Sequence, residues 1–363
     1  MNFEYVCIEC GEISEPNFFK LKCSESDQSC FDIKYNQKNS DQEITLPLKK
    51  SEIISMGEGG TPGISLKNHF PELNDLICKL EFFSPTGSFK DRGSSILISA
   101  AKKYGVKEFV EDSSGNAGAS MSAYAAMSGI QANIFAPKST PKSKLDQINI
   151  FGAKLHKIEG PRQESTIAAR KFCDLSGTPY LSHNYNPFFI EGMKSFAYEI
   201  FEDYGESITD IVIPVGNGSL LIGAQKGFDE LKELGKINTS PKLHCVQVEG
   251  FSPISNKFNN LDWEFNQLSK TLAGGIAVSE PPRIKQVLQC IESSGSEAII
   301  VSESSILDWH NKLALLGILS EITCAAAFSG VDQLKKMNVI GKNSKVLVPV
   351  TGSGLKDLTN AKL

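Results

Sequence analysis

Short apolar or β-branched runs alternate with amphipathic stretches over most of this chain. From about Ile77 onward, Phe109-Val110 precedes a helical pattern from Ala117 to Ser128, and Ala132 to Phe135 precedes Ser143 to Phe151. Lys154 to Ile158 leads to a helical stretch from Gln163 to Leu175, and Asp210 to Val215 leads to Ser219 to Leu234. Leu243 to Val248 reads as a further strand. Ala298 to Val301 precedes a helix from about Ser304, and a helix from about Glu321 to Met337 precedes the strand Lys345 to Val350. Strands separated by helices must be joined by crossovers, so the pattern predicts an α/β fold of mostly parallel sheets flanked by helices. Ligands of such folds bind at the carboxyl ends of the strands, where loops open helices.

A chain of 363 residues is long for one domain, so two lobes plus an appendage is the expectation. A hydrophobic share of 40% and a charged share of 22% are those of a globular chain rather than a disordered one. The formal charge of -5 lacks the basic excess that a nucleic-acid or membrane-surface partner would require. No apolar run approaches the roughly 20 residues that span a bilayer. Met1 to Cys10 has no basic stretch followed by an apolar core, so it does not read as a signal peptide. Met1 to about Ser40 reads as a Cys-rich appendage, followed by the polar, linker-like Asn36 to Glu43. Residues 41–363 are the candidate catalytic region.

Four loops carry candidate chemistry. Lys90 lies in Ser84-Pro85-Thr86-Gly87-Ser88-Phe89-Lys90-Asp91-Arg92-Gly93 at a helix start. Desolvation or nearby positive charge lowers a lysine pKa and makes its amine a nucleophile for a Schiff base. In Ser113-Ser114-Gly115-Asn116-Ala117-Gly118 the glycines let backbone approach a flat ring or a carboxylate. There the helix-opening amides donate to anions, and Asn116 offers an amide to a phenolic oxygen. Val215-Gly216-Asn217-Gly218-Ser219 follows an apolar strand, and its amides suit a phosphate. No Gly-Lys-Ser/Thr follows, which excludes a Walker loop, and Leu221 stands where a dinucleotide fingerprint has its third glycine. Thr351 ends the last strand and opens Thr351-Gly352-Ser353-Gly354. A neutral hydroxyl facing a pyridine nitrogen leaves it unprotonated, a weaker electron sink that favours elimination and replacement over transamination. An amine, an amide, a phosphate cradle and a hydroxyl are together what pyridoxal 5'-phosphate needs.

These motifs resemble the pyridoxal-phosphate enzymes of the tryptophan-synthase-like fold (fold type II), and within them the threonine synthases. Ser84 to Gly93 resembles that family's lysine segment, Ser113 to Ser120 its asparagine loop, and Thr351 to Asp357 the threonine-synthase closing motif. Gly59-Gly60-Thr61-Pro62 and Thr271 to Ala277 are similar to further family segments, so the likeness runs from about Glu58 to Asp357. It implies a smaller mobile lobe, about 85–180, inserted in a larger one. It also implies a lyase that converts O-phosphohomoserine and water to threonine and phosphate. Lys90 would move protons at the α and β carbons. Lys90, Asn116, Val215, Gly216, Asn217, Gly218, Ser219 and Thr351 would hold the cofactor, and Ser113, Ser114, Asn116, Ala117, His183 and Asn184 would face substrate. The expected setting is a cytoplasmic homodimer taking a small amino-acid substrate, with no nucleic acid and no membrane.

The chain departs from that family at one place. His183-Asn184-Tyr185-Asn186-Pro187-Phe188-Phe189-Ile190-Glu191-Gly192 resembles the substrate-phosphate segment, but Phe189 stands where threonine synthases usually have arginine. An arginine fork binds phosphate through charge-assisted bonds that a ring cannot replace. Either Arg92, Lys144, His183 or Asn184 compensates, or the substrate lacks a γ-phosphate. In the second case the activity is β-elimination or β-replacement on serine, threonine or phosphoserine, of the dehydratase or cysteate-synthase kind. A non-catalytic relative that merely holds the cofactor is the third reading.

Nine cysteines, an odd number, fit free thiols better than a disulfide framework. Cys7-Ile8-Glu9-Cys10 has the spacing of a zinc knuckle, with Cys23 and Cys30 as partners across six intervening residues rather than the usual two to four. A zinc held there would be structural, and some threonine synthases begin with a similar ribbon. Cys78, Cys173, Cys245, Cys290 and Cys324 read as buried thiols.

Overall fold

Residues 3–24, 29–36, 43–73, 75–266 and 268–356 are described by the structure, a computed structural model. In chain order, β1 (Phe3–Cys7), β2 (Ile13–Ser14) and β3 (Phe31–Tyr35) precede β4 (Gly63–Ser65) and β5 (Asp75–Lys79). Next come α1 (Lys90–Lys103), β6 (Glu108–Glu111), α2 (Asn116–Ser128), β7 (Gln131–Pro137), α3 (Lys142–Ile150), β8 (Lys154–Ile158) and α4 (Arg162–Ser176). α5 (Pro187–Met193), α6 (Ser195–Tyr204), β9 (Asp210–Pro214), α7 (Ser219–Glu233), β10 (Lys242–Val248), α8 (Pro253–Phe258) and α9 (Ile284–Ser293) follow. The chain continues through β11 (Ala298–Val301), α10 (Glu303–Leu315), α11 (Ile322–Lys336) and β12 (Lys345–Pro349). The alternation read from the sequence is this alternation. The short helices α5, α6, α8 and α9 were not legible in it. Asn36 to Glu43 lies largely outside the described residues, and so does Asp357.

The chain divides into two compact units. One comprises Met1–Asn39, Thr45–Glu58 and Ser84–Gly192, and the other Ser40–Ile44, Gly59–Phe83 and Met193–Leu363.

The first unit holds two sheets among its described residues. In the antiparallel ribbon β2-β1-β3, alternate residues Phe3, Tyr5 and Cys7 are buried, as a half-buried strand requires. The parallel sheet β6-β7-β8 packs Val110 and Phe135 against Ala169 of α4. Cys173, expected to be buried, is only half-buried, because it lies at the margin of this small cluster. Residues 179–181 run along β6, with Val110 N–H donating to Pro179 O and Leu181 N–H to Val110 O (both 2.9 Å).

The second unit is built on a six-stranded sheet of order β11-β10-β9-β12-β5-β4, parallel except for its edge strand β4. Its inner strands are buried over all but their end residues and are mostly apolar, as strands covered on both faces require, with His244 and Gln247 of β10 as buried polar exceptions. Val212, Val246, Val346 and Val348 share a core with Ala325, Phe328, Val331 and Trp309 of α10 and α11. Each such side chain removed from water contributes about 1.5–3 kcal/mol. α11 lies close to the sheet, since a Cβ on Gly330 would come within 2.5 Å of Val246 Cγ2.

Candidate active site

Lys90 is the first residue of α1, and its neighbour Asp91 anchors the loop before it. The buried Asp91 carboxylate accepts from Thr86 N–H and from Thr86 Oγ1–H, both at 2.7 Å, and from Ser120 Oγ–H of α2 at 2.5 Å. This carboxylate also suits the positive end of the helix it opens. One residue therefore ties the lysine segment to the helix that follows the asparagine loop. Lys90 itself is half-buried. Desolvation, assisted by the charge of Arg162 and opposed by Glu111, lowers its amine to about 8. Its Nζ lies 4.6 Å from the Phe89 ring centroid and 5.7 Å from that of Phe189.

The asparagine loop leaves the carboxyl end of β6. Gly115 caps α2 and Asn116 opens it. Gly118 is obligatory, because a Cβ there would lie 1.9 Å from Ser113 O. Ser113 and Ala117 are buried, while Ser114 and Asn116 are half-buried.

His183 and Asn184, both buried, follow the segment that runs along β6, and this brings His183 beside Glu111 at the carboxyl end of that strand. Glu111 Oε2 accepts from His183 N–H at 2.9 Å, and Oε1 lies 3.1 Å from His183 Nδ1. Burial, and then the Asp112 charge, push the Glu111 carboxyl well above the carboxylate range. Burial, and then the charge of Lys90, hold His183 well below the usual imidazole value. Both shifts oppose a separated ion pair despite the short contact, so the pair is uncharged.

Phe189, wholly buried on α5, stands edge-on to His183 with centroids 5.4 Å apart. Its ring fills the space above Gly93, where a Cβ would meet three ring atoms at 2.7 Å. Arg92 is buried one residue before, and Lys144 is half-buried on α3.

In the second unit, the glycine turn and Thr351 leave the carboxyl ends of β9 and β12, which are adjacent parallel strands. Gly218 has φ +86° and caps α7, and a Cβ on it would lie 2.2 Å from Val287 Cγ2. A Cβ on Gly216 would lie 3.1 Å from Gly275 O, so the turn is walled by residues 274–276. The first N–H groups of α7 have no intrahelical acceptor and are available to an anion. Val215, Gly216, Gly218 and Ser219 are buried and Asn217 is half-buried. Thr351 Oγ1 shares a 3.4 Å hydrogen bond with Cys324 Sγ, which burial above all pushes up to about 11, so no ionised group is bonded to this hydroxyl.

Each unit, taken by itself, offers groups that suit pyridoxal phosphate. Ser88 Oγ, two residues before the lysine, is buried with no partner, and the turn at Gly216 keeps a backbone cradle that side chains would fill. A cavity of about 250 Å³ between Lys107, Ile130 and Gly152 lies instead at the amino ends of β6, β7 and β8, away from this chemistry. Glu111, Asp91, Ser88 and Arg162 were given no role from sequence, and Cys324 was read only as a buried thiol, which it is. Only Glu111 gives a local sign, as an acid at the end of an apolar strand.

In the ribbon, the Sγ atoms of Cys7, Cys10 and Cys23 lie within 4.8 Å of one another, with 3.9 Å between Cys10 and Cys23. The N–H groups of Glu9 and Cys10 donate to Cys7 Sγ at 3.4 and 3.5 Å, and Glu12 Oε2 accepts from Cys23 at 3.3 Å. Cys30 is not in this group. Phe31 is the direct partner of Cys7 and Lys22 that of Cys30, so the pleat turns Cys30 to the face opposite Cys7 and Cys23.

Residues 54–352 match the family of pyridoxal-phosphate dependent enzymes, and the chain belongs to it. The cofactor of this family is pyridoxal 5'-phosphate. Among its relatives, the threonine synthase of Methanocaldococcus jannaschii is 32% identical over 86% of this chain and 79% of its own. That of Methanosarcina acetivorans is 30% identical over 97% and 91%. The fold is also that of maize serine racemase (TM-score 0.72, 21% identity, 82% of this chain and 89% of that one). Threonine deaminase isoform 2 from Solanum lycopersicum shares it too (TM-score 0.70, 20% identity, 81% and 79%). No helix among the described residues is long and apolar enough to cross a membrane.

Proposed function

We propose that this chain is a lyase that converts O-phosphohomoserine and water to threonine and phosphate. The observation that carries this reading is identity of 30% or more to threonine synthases over 86% and 97% of the chain. Lys90 would carry the cofactor, the amides of Gly216, Asn217, Gly218 and Ser219 would take its phosphate, and Asn116 and Thr351 would meet its ring, beside Val215. When bound, the cofactor supplies an electron sink for charge developing at the substrate carbons. With an amine near 8, roughly one Lys90 in ten is neutral at pH 7, against fewer than about one in a thousand for an unperturbed lysine. Lys90 can therefore accept the protons that leave the α and β carbons and supply those that the γ carbon, as phosphate departs, and finally the α carbon must gain, while water adds its hydroxyl at the β carbon. Amides of Ser113 to Ala117 would hold the substrate carboxylate, while His183 and Asn184 would face its far end. Thr351, bonded to a protonated thiol, leaves the ring nitrogen without an acidic partner.

The test is to incubate purified holoenzyme with O-phosphohomoserine and to measure phosphate and threonine. Equal amounts of both are expected. If neither forms, while serine or threonine yields ammonia and a keto acid, the reading is wrong. The buried Phe189 ring favours that second activity, β-elimination or β-replacement on serine, threonine or phosphoserine. Absence of a visible imine band, with no borohydride fixation at Lys90, would leave only a non-catalytic relative. A cytoplasmic homodimer belongs to the same proposal. So does a structural zinc on Cys7, Cys10 and Cys23.

A further inference from the structure

The proposed substrate carries a phosphate, yet the residue at position 189 is a ring. That ring is wholly buried against Gly93, which leaves no space or charge for an anion at the position itself. The same unit carries an arginine on a different element, whose first residues are tied to the end of β6. Arg162 opens α4. One turn further on, Thr166 Oγ1–H donates to Asp112 Oδ2, which fixes the start of the helix against the residue just past β6. Asp112 follows Glu111, Glu111 holds His183 by backbone and ring, and His183 stands edge-on to Phe189. Lys90 Nζ lies 5.7 Å from the same Phe189 ring. A short chain of contacts thus joins the start of α4 to the lysine.

The electrostatics agree with the contacts. The positive charge of Arg162 is among the causes of the shifts of Lys90, Glu111, Asp112 and His183, in keeping with the start of its helix beside Asp112. Its own side chain is exposed and makes no hydrogen bond or ion pair with any described residue. Asp112, the carboxylate that would most readily neutralise it, spends Oδ2 on Thr166, while its Oδ1 has no hydrogen-bond partner. Three residues along the same helix face, Ser165 Oγ is buried and also lacks a partner. A guanidinium with no hydrogen bond, on the same helix face as an unsatisfied hydroxyl, offers the donors that an oxyanion needs.

We infer that Arg162 is the specificity-determining residue for the substrate's phosphate, taking over from α4 the role that Phe189 cannot fill on α5. This rests on the proposed reaction and names the residue that recognises its substrate. Arginine suits the task because its planar fork bonds two phosphate oxygens at once, whereas lysine offers only a point charge.

The test compares wild type, Arg162→Lys and Arg162→Gln as holoenzymes. Two readouts are used: steady-state turnover of O-phosphohomoserine, and titration with inorganic phosphate followed by the absorbance of the bound cofactor. Arg162→Gln is expected to raise KM about tenfold to a hundredfold with a smaller effect on kcat, and to weaken phosphate binding similarly. Arg162→Lys should recover part of both, and an unchanged imine band will show that the variants fold and load. If wild type turns over and Arg162→Gln keeps its KM within twofold, the assignment of Arg162 is overturned while the reaction stands. If wild type does not turn over, the proposed reaction falls and the phosphate titration alone decides. Weaker binding in Arg162→Gln then supports the anion role, and equal binding refutes it.

Discussion

Burial of the Lys90 amine destabilises the cofactor-free chain wherever that amine is charged. Its pKa falls from 10.5 to about 8 on folding, so between those values the unfolded chain binds the extra proton and stability rises with pH. Below about pH 8 the penalty is constant, on the order of 3 kcal/mol. Cofactor-free Lys90→Met should therefore be more stable than wild type at pH 7 by roughly that amount, and the gap should close toward pH 10.5. Denaturant unfolding across this range measures it, and a gap independent of pH would contradict the desolvation of Lys90. Phe189 gives a second test at this scale. Gly93→Ala gains about 1 kcal/mol of helix propensity but drives a Cβ into the buried ring, an overpacking worth about 1–3 kcal/mol. A net loss is expected, and Gly93→Ala/Phe189→Leu should regain stability. Lys90 and Thr351 could be proposed from sequence because their chemistry lies in short segments of fixed spacing. Glu111 and Arg162 could not, since Glu111 meets His183 across 72 positions and nothing around Arg162 in sequence announces its neighbours.

At the scale of elements, strands were the most readable, because most are short, largely apolar or β-branched runs bounded by loops. Lys154–Ile158 and Ala298–Val301 were read at their observed limits. α5 escaped because it begins at Asn186-Pro187 and is buried on every side, so no polar stripe marks a helical period. In the ribbon, spacing identified the knuckle of Cys7 and Cys10, but only strand register separates Cys23 from Cys30. Zinc held by thiolates at about 2.3 Å places sulfurs about 3.8 Å apart, close to the 3.9 Å between Cys10 and Cys23. Purified protein should contain about one zinc per chain, lost in Cys10→Ser and Cys23→Ser and kept in Cys30→Ser. Elemental analysis decides this, and loss of metal in Cys30→Ser would contradict the register argument.

For the whole molecule, the segment Ser84–Gly192 of the first unit interrupts the second between β5 and β9. A contiguous reading of the sequence could place these strands but not their order, which is 11-10-9-12-5-4. One of the two central strands of that sheet, β12, is the last strand among the described residues, and it pairs Leu347 with both Ile77 and Ile211. A chain ended after Ile340 should accordingly lose cooperative unfolding of the second unit and aggregate, since two inner strands would keep open edges. Retention of a sharp thermal transition for that unit would refute this. The same register bears on synthesis at the ribosome. Leu76 and Cys78 emerge early and wait for partners some 270 residues downstream, a gap read directly from Leu76 with Val346 and Cys78 with Val348. At about 5–20 residues per second the nascent chain holds an incomplete sheet for tens of seconds. A holdase able to shield half-made β-structure would then influence yield in the cell more than the final stability does.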